Sequence, residues 1–429
     1  INLPPEVAKV VFENVKKNYP VLVYELPGTE STDATDKEEA KKVVKLIDAL
    51  GTITKDSKEA VQKARNAYDK LTANDKVYVT NYDKLKKAEE KLYEAFRISD
   101  YDKMKEDIEK KGNNPPKSAY IKQMRNPAET IVNNDRKTTP AVSTSNNPNN
   151  VDISGEMNAI YQLCVVYAFS QDDKFLNKAV EYLKAWGKVN VAVSKSNIHE
   201  SVYTPAVEGY SIIRNVISQA DRDEIDGWFR KRINVFIKDN DLRDNNWGTC
   251  LMQQFYYYGS ALNDKNVVNT YFRNRYSGWV KNNLYANGTT TDLMGRDAFA
   301  YHSYDLLFFA EICHGMACYE GYKVADEFYA QDVNWGASIK KSVDFWKPYL
   351  LDPVKNPHTE FVETEWAPDK KRSDYNKPYS PAGTMYVADE LLEMDQDLLR
   401  AVDKYRGGNP FYTWRLTLSN LRWYYGEEE

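Results

Sequence analysis

With 429 residues, 42% hydrophobic and 28% charged, the chain is long enough for two or three domains with a sizeable core and has the make-up of a globular protein. A net charge of −5 without any basic stripe argues against nucleic acid as a general partner, and no run approaches the roughly 20 apolar residues of a membrane span. The 32 Tyr and 9 Trp stand against only 4 His, and rings with polar tips suit both helix packing and stacking on sugar faces. Cys164, Cys250, Cys313 and Cys318 lie in apolar helical stretches without a CxxC pair, which predicts buried thiols rather than a zinc site.

In chain order, residues 1–30 carry a short helical pattern, "PPEVAKVVFENVKK", then the strand-like "PVLVYEL". The chain begins at Ile1 without a signal-peptide pattern and reads as a mature form or an excised fragment. After the linker "PGTESTDATDKE", apolar residues recur at helical spacing: Val43, Val44, Ile47 and Leu50, then Ala60, Ala64, Ala67 and Leu71, then Leu85, Ala88 and Leu92. With Asp56, Thr72 and Asn81 as N-caps, this predicts a three-helix bundle over 35–111, lysine-rich outside. "LTANDKVYVTNYDKLKKAE" resembles the small helical modules of Gram-positive cell-surface proteins. That likeness implies a secreted or cell-surface protein whose module spaces the chain or binds cell wall, glycan or another protein.

Residues 112–152 form a long polar stretch that reads as a linker or a lid, with Lys117, Tyr120, Arg125 and Arg136 as candidate substrate contacts. From Ser154 onward helix follows helix. "GEMNAIYQLCVVYAF" and "DDKFLNKAVEYLKAW" make the first hairpin, whose second helix carries the stripe Phe175, Ala179, Leu183, Trp186. Within such pairs one member is apolar nearly all round and the other is amphipathic, as an inner and an outer ring require. The predicted class is all-α: an incomplete (α/α) toroid over 112–429, preceded by an N-terminal segment (1–34) and the bundle.

In a toroid the loops entering inner helices converge on one cleft. "RDNNWGTC" precedes one inner helix with Asn245, Asn246 and Trp247, and "GRDAFAYHSYDL" opens another with Arg296, Tyr301, His302 and Tyr304. "NIHESVY" adds His199 and Tyr203 before a third, and "KRSDYNKPYSP" adds Arg372, Tyr375 and Tyr379 as a polar, aromatic border. His314, in an apolar setting, reads as structural, and His358 as outside the cleft.

Residues 151–420 resemble the alginate lyase superfamily of polysaccharide lyases, through "GEMNAIYQLCVVYAFSQDDKFLNKAVEYLKAW", "TPAVEGYSIIR", "NNWG" and "RDAFAYHSYDL". The likeness implies β-elimination on a uronate polymer such as alginate or glucuronan, a reaction that requires no metal or organic cofactor. Carried onto this chain, Asn246 and Arg296 would neutralise the carboxylate, Tyr304 would transfer protons, and His302 would share the base role or supply charge. Asn245, Trp247, Tyr301, His199, Tyr203, Tyr120, Arg372, Tyr375 and Tyr379 would bind substrate. Two departures stand out: Trp247 occupies the place of a catalytic His, and Arg296 lies one residue further from Tyr304 than in the better-known branch. If His302 does not replace the missing imidazole, His199 is the other choice. The alternatives are a glycoside hydrolase using two of Glu208, Asp292, Asp297 and Asp305, or a glycan-binding surface protein.

Overall fold

The computed structural model describes residues 34–53, 57–89, 91, 106, 108–109, 111–112, 115–193, 197–239, 241–333 and 335–406. The expected helix and strand of residues 1–30, the Asp56 cap, Leu92 and the chain after Arg406 lie outside them. Two compact units are present, one over 1–52 and 57–88 and the other over 53–56 and 89–429. Residues 89–111, expected in the bundle, therefore fall in the second unit.

In the first unit α1 (Ala34–Asp48), α2 (Lys58–Asp69), the single turn α3 (Ala73–Lys76) and a helical stretch over 82–89 bury Val43, Ile47, Ala64 and Leu85. Thr72 and Asp75 form a reciprocal capping box on α3. Asn81 instead ties the unit together, its amide donating to the Val44 carbonyl and to Asp48, each at 2.9 Å. A groove of about 890 Å³ between α1 and α2 is lined by such residues as Lys42, Glu59, Gln62 and Lys63, and holds none of the candidate site residues.

The second unit begins with a correction. Much of the polar stretch expected to be a linker or a lid is helical: α4 (Pro115–Tyr120) runs through a π-helical stretch (Ile121–Arg125) into α5 (Asn126–Asn133). Pro127 lacks the N–H that would serve the Gln123 carbonyl, and the Gln162 side chain donates to that oxygen at 2.9 Å instead. Tyr120 and Met124 are thus held in the core, with Tyr120 edge-on to Phe169 at 4.8 Å. Tyr120 is a packing residue, not a substrate contact.

The helices that follow are α6 (Ile153–Ser170), α7 (Asp173–Val189), α8 (Thr204–Ile213), α9 (Gln219–Asp239), α10 (Asn246–Ala261), α11 (Asn274–Val280), α12 (Thr291–Arg296), α13 (Phe299–Glu320), α14 (Tyr322–Ala330), α15 (Ile339–Leu351), α16 (Met385–Leu391) and α17 (Leu399–Arg406). Neighbours in space run α6–α8–α10–α13–α16, an inner arc backed by α7, α9, α14 and α15. The fold is the all-α toroid expected. All of α8 is buried, and Trp247 is the only residue of α10 that is not. An inner helix meets protein on every side, which explains its lack of a polar face. Among the described residues no helix is long and apolar enough to cross a membrane.

One fully buried ion pair fixes the approach to α8. Arg232 of α9 donates through Nη2 to Glu200, which sits on a 3-10 turn (Ile198–Tyr203). Its Nε donates to the Tyr258 hydroxyl at 2.8 Å, and its guanidinium lies 3.8 Å from the Tyr203 ring centroid. Tyr203 is itself fully buried, with its hydroxyl accepting from Asn190 at 2.8 Å, so it supports the turn and does not contact substrate. Glu200→Ala would leave a buried guanidinium without its carboxylate. We expect a loss of about 3–5 kcal/mol in urea unfolding; a loss below about 1 kcal/mol, as for an exposed pair, would show that other contacts pin the turn.

Candidate active site

The NNWG motif forms the first turn of α10. Asn245 is its N-cap, with Oδ1 accepting from the Trp247 N–H at 3.1 Å. The Asn246 N–H donates to the buried Asp292 carboxylate at 2.6 Å. Gly248 is required by close approach: a Cβ there would lie 1.8 Å from the Arg243 carbonyl oxygen, which accepts from Trp279 Nε1 at 2.7 Å. With its backbone fixed, the turn presents the half-buried Trp247, and the exposed Arg243 stacks on that ring at 4.8 Å. Neither the Asn245 nor the Asn246 side-chain amide N–H₂ has a protein partner among the described residues, although Asn246 is buried.

Tyr304 meets this turn. It and Trp247 pack on Ile198, Cys250 and Phe308, so three separate segments converge: the turn carrying His199, the NNWG motif and the head of α13. Tyr304 is half-buried, and its hydroxyl has no protein partner among the described residues. Burial pushes its phenol above the ordinary value, and Cys250, Tyr386, Glu311 and Tyr301 add to the rise. The expectation that neighbouring cations would lower it does not hold; the phenol stays protonated at neutral pH.

His302 must be reassigned. It is fully buried, with Nε2 against the Ser342 carbonyl and Nδ1 against the Thr290 hydroxyl, both at 3.1 Å. A carbonyl only accepts, so Nε2 carries the proton and Nδ1 accepts from Thr290, the N-cap of α12. Burial pushes the ring down to about 4. It is a neutral core residue joining α13 to α12 and α15, not a base. Tyr379 is also core, bonded to Trp346 Nε1 at 2.9 Å and to Thr384 at 2.6 Å.

Arg296 is not the free cation expected. Its Nε and Nη2 donate to both oxygens of the fully buried Asp369, and its guanidinium lies between the Tyr301 and Trp366 rings, 3.7 and 4.3 Å from their centroids. Arg372 continues the stack, 5.4 Å from Tyr301 and 4.7 Å from Phe361, while pairing with Asp374 at 2.8 Å. The result is a ladder of alternating rings and guanidinium groups along the start of α13. Tyr375, three residues after Arg372 and next to Asp374, is half-buried.

The segment supplying Phe361, Trp366, Asp369 and Arg372 is fastened to the α12–α13 junction. Asp297, in the left-handed region at φ 50°, offers its carbonyl to the Phe361 N–H at 2.7 Å and its carboxylate to the Glu363 N–H at 2.8 Å. His358, half-buried, also meets that carbonyl, at 3.2 Å. Glu360 accepts from the Phe299 and Ala300 N–H groups at 2.9 and 3.1 Å, capping α13 from a distant part of the chain.

Two buried carboxylates, Asp292 and Asp305, lie beneath the NNWG turn. Thr249 donates to Asp305 and accepts from Asn283 at 3.0 Å, and burial raises both acids, helped at Asp305 by the charge of Asp292. They are sealed under the turn rather than flanking a hollow, so they do not form a hydrolase pair. His314 also sits in a setting different from that expected: Glu393 is 2.7 Å from Nδ1 and Glu208 is 3.1 Å from Nε2. Burial works against its charge, but Cys318 and the two carboxylates outweigh burial and raise it. It is a structural cross-link between inner helices.

A family model described as alginate lyase matches residues 79–356. The chain belongs to the alginate lyase family. It is a polysaccharide lyase. Among solved structures, an alginate lyase from Bacteroides ovatus is similar with a TM-score of 0.54 and 16% identity, over 76% of this chain and 97% of that one. At that identity the likeness supports the fold. A search of curated proteins finds no match.

Of the sequence candidates, the lyase brings Asn245, Asn246, Trp247 and Tyr304 together, with His199 adjacent in the chain to the shared Ile198; Tyr301, Arg296 and Arg372 form the neighbouring ladder. Arg243, Tyr386 and Trp366 were missed. Arg243 opens the quoted motif, four residues before Trp247, a helical spacing that could have suggested contact; no local pattern ties Tyr386 or Trp366 to α13.

Burial pushes Glu360 up to about 7, with Asp374 and Asp297 adding to the rise while the two N–H groups oppose it. Between its ordinary value near 4.5 and 7 the folded chain keeps a proton that the unfolded chain releases. This contribution is therefore fully present below about pH 4.5 and is lost as pH rises through 7. Glu360→Gln removes that dependence, so the variant's Tm minus the wild-type Tm should become more positive by a few degrees from pH 5 to pH 8. A difference that stays flat or falls would contradict the assignment.

Proposed function

We propose that this lyase cleaves a uronic-acid polymer by β-elimination, with Tyr304 protonating the leaving glycosidic oxygen and His199 removing the proton beside the sugar carboxyl. The convergence of Trp247, Tyr304 and Ile198 in one cluster carries this reading, since it gathers the motif segments around a phenol without a protein partner among the described residues. A phenol raised by burial is a poor base and a competent acid. The base must then be another group. All four His of the chain are described: His302 is sealed, His314 lies between carboxylates, and His358 is held at the α12–α13 junction. His199 is the exposed one, and it has no side-chain partner among the described residues.

As the base takes the proton, the electron pair of the broken C–H bond forms the new carbon–carbon double bond and the bond to the glycosidic oxygen breaks, with that oxygen taking the Tyr304 proton. Charge that develops on the carboxyl needs donors already in place. The Asn245 and Asn246 amides and the Arg243 guanidinium supply them, with Arg296 acting through the ladder because Asp369 already offsets its charge. Alginate, glucuronan and related uronate polymers are the substrate class. The module's likeness to Gram-positive surface proteins supports placement outside the cell.

Wild-type enzyme on a panel of uronate polymers should give an unsaturated product absorbing in the ultraviolet. Tyr304→Phe should lower kcat at least about 10³-fold and His199→Ala about 10²–10⁴-fold, with folds intact by circular dichroism. Near-normal turnover in either variant would remove that residue from the mechanism. Reducing ends formed without the unsaturated product would refute elimination.

A further inference from the structure

We infer that Trp366 is the stacking platform of a sugar subsite next to the reacting bond, and that its occupant is a uronate unit of the same polymer. The inference rests on the uronate reading of the cleft and adds a residue that lies beyond the family match and was not among the candidate site residues. The indole is 51% exposed, yet it is held firmly from below. The Trp366 N–H donates to the Thr364 hydroxyl at 3.2 Å, that hydroxyl donates to Asp369 at 2.7 Å, and the Asp369 N–H donates to the Trp366 carbonyl at 3.0 Å. Asp369, fully buried, also grips Arg296, whose guanidinium packs on the indole at 4.3 Å.

These bonds fix the Trp366 backbone and the Arg296 guanidinium packs on its ring, so the indole has less freedom left to lose and a sugar that docks on it meets a largely pre-set surface. The apolar C–H face of a pyranose suits such a ring, and a carboxylate beside it suits the exposed guanidinium of Arg372, which Asp374 engages through Nε and Nη2. The position fits as well. Trp366 contacts Arg296, Arg296 contacts Tyr301, and Tyr301 lies one helical turn before Tyr304 on α13. A polymer whose glycosidic oxygen meets Tyr304 would lay a neighbouring unit along the ladder. The family match ends at residue 356, so Trp366, Asp369 and Arg372 all come from a segment beyond it.

The test uses the full chain carrying Tyr304→Phe, so that ligands persist, and titrates defined oligomers of mannuronate, guluronate and glucuronate by calorimetry, with a neutral cello-oligomer as control. Adding Trp366→Ala should weaken binding of the preferred uronate oligomer about tenfold or more, and Trp366→Phe should restore part of it. Trp335→Ala, which removes a tryptophan that is 97% exposed on another loop, should leave binding unchanged. In the active enzyme the Trp366→Ala effect should fall on KM more than on kcat. Equal affinity with and without the indole, or an effect on kcat alone, would overturn the subsite even if wild-type enzyme yields unsaturated product. Tighter binding of the neutral oligomer would overturn the uronate occupant. Failure of the wild type to form unsaturated product would refute the elimination reading separately, because the binding comparison does not depend on turnover.

Discussion

The buried pairing of Arg232 with Glu200 is the constraint from which the site's geometry follows. Two charges taken wholly out of water are tolerated only when each is matched and its remaining hydrogen-bonding groups are met. Arg232 achieves this with Glu200, Asn190 and Tyr258 together, under the Tyr203 ring. Those partners come from three segments, the end of α7, the turn itself and α10, so the 3-10 turn before α8 has little freedom to shift. His199 and Ile198 ride on that turn, and Ile198 is where Trp247 and Tyr304 meet. A charge placed deep in the wall thus sets the position of groups at its surface.

The same device recurs around the cleft. Asp292 holds the first N–H of the NNWG turn, Asp369 holds Arg296, and Glu360 holds the first N–H groups of α13. In each case a carboxylate points inward and fixes backbone or guanidinium donors from behind. For the acidic substrate proposed above this arrangement has a clear electrostatic sense. The anions needed for rigidity are buried and paired, whereas amides, an imidazole and guanidinium groups are left toward solvent. The cost is that burial raises several of these acids, which ties the order of the wall to pH.

Much of the fold was legible because inner and outer helices of a toroid differ in pattern. "WGTCLMQQFYYYGSA" lacks a polar face, and "DKFLNKAVEYLKAW" has one. The site was legible in part, for a reason visible in "YHSY". Residues three apart share a helix face and a neighbour one residue on is turned by about 100°. Tyr301 and Tyr304 therefore share the surface while His302 turns inward with Asp305 and Phe309, as their burial shows. Periodicity could separate the two faces but not say which was deep, and chemistry alone favoured the imidazole. Prolines and asparagines made 112–152 read as a linker; the Gln162 side chain that satisfies the Gln123 carbonyl is a tertiary contact that local sequence cannot reveal.

The ladder illustrates a further limit and a division of labour. Its first members, Arg296 and Tyr301, belong to the span shared with the family, but their partners Trp366, Asp369 and Arg372 come from some seventy residues later in the chain, past the end of that span. No pairwise pattern in either stretch signals the other, because a guanidinium can accept any ring that tertiary structure brings within reach. The residues proposed to move protons sit on the 3-10 turn before α8 and near the start of α13, braced by the inner arc, where small displacements would be costly. The ladder's outer members sit on an irregular segment tied to α13 by hydrogen bonds and one ion pair, which can change in sequence without disturbing the arc. If the substrate is the uronate polymer proposed above, variation in which unit is accepted is therefore more readily accommodated there than at Tyr304 or the NNWG turn.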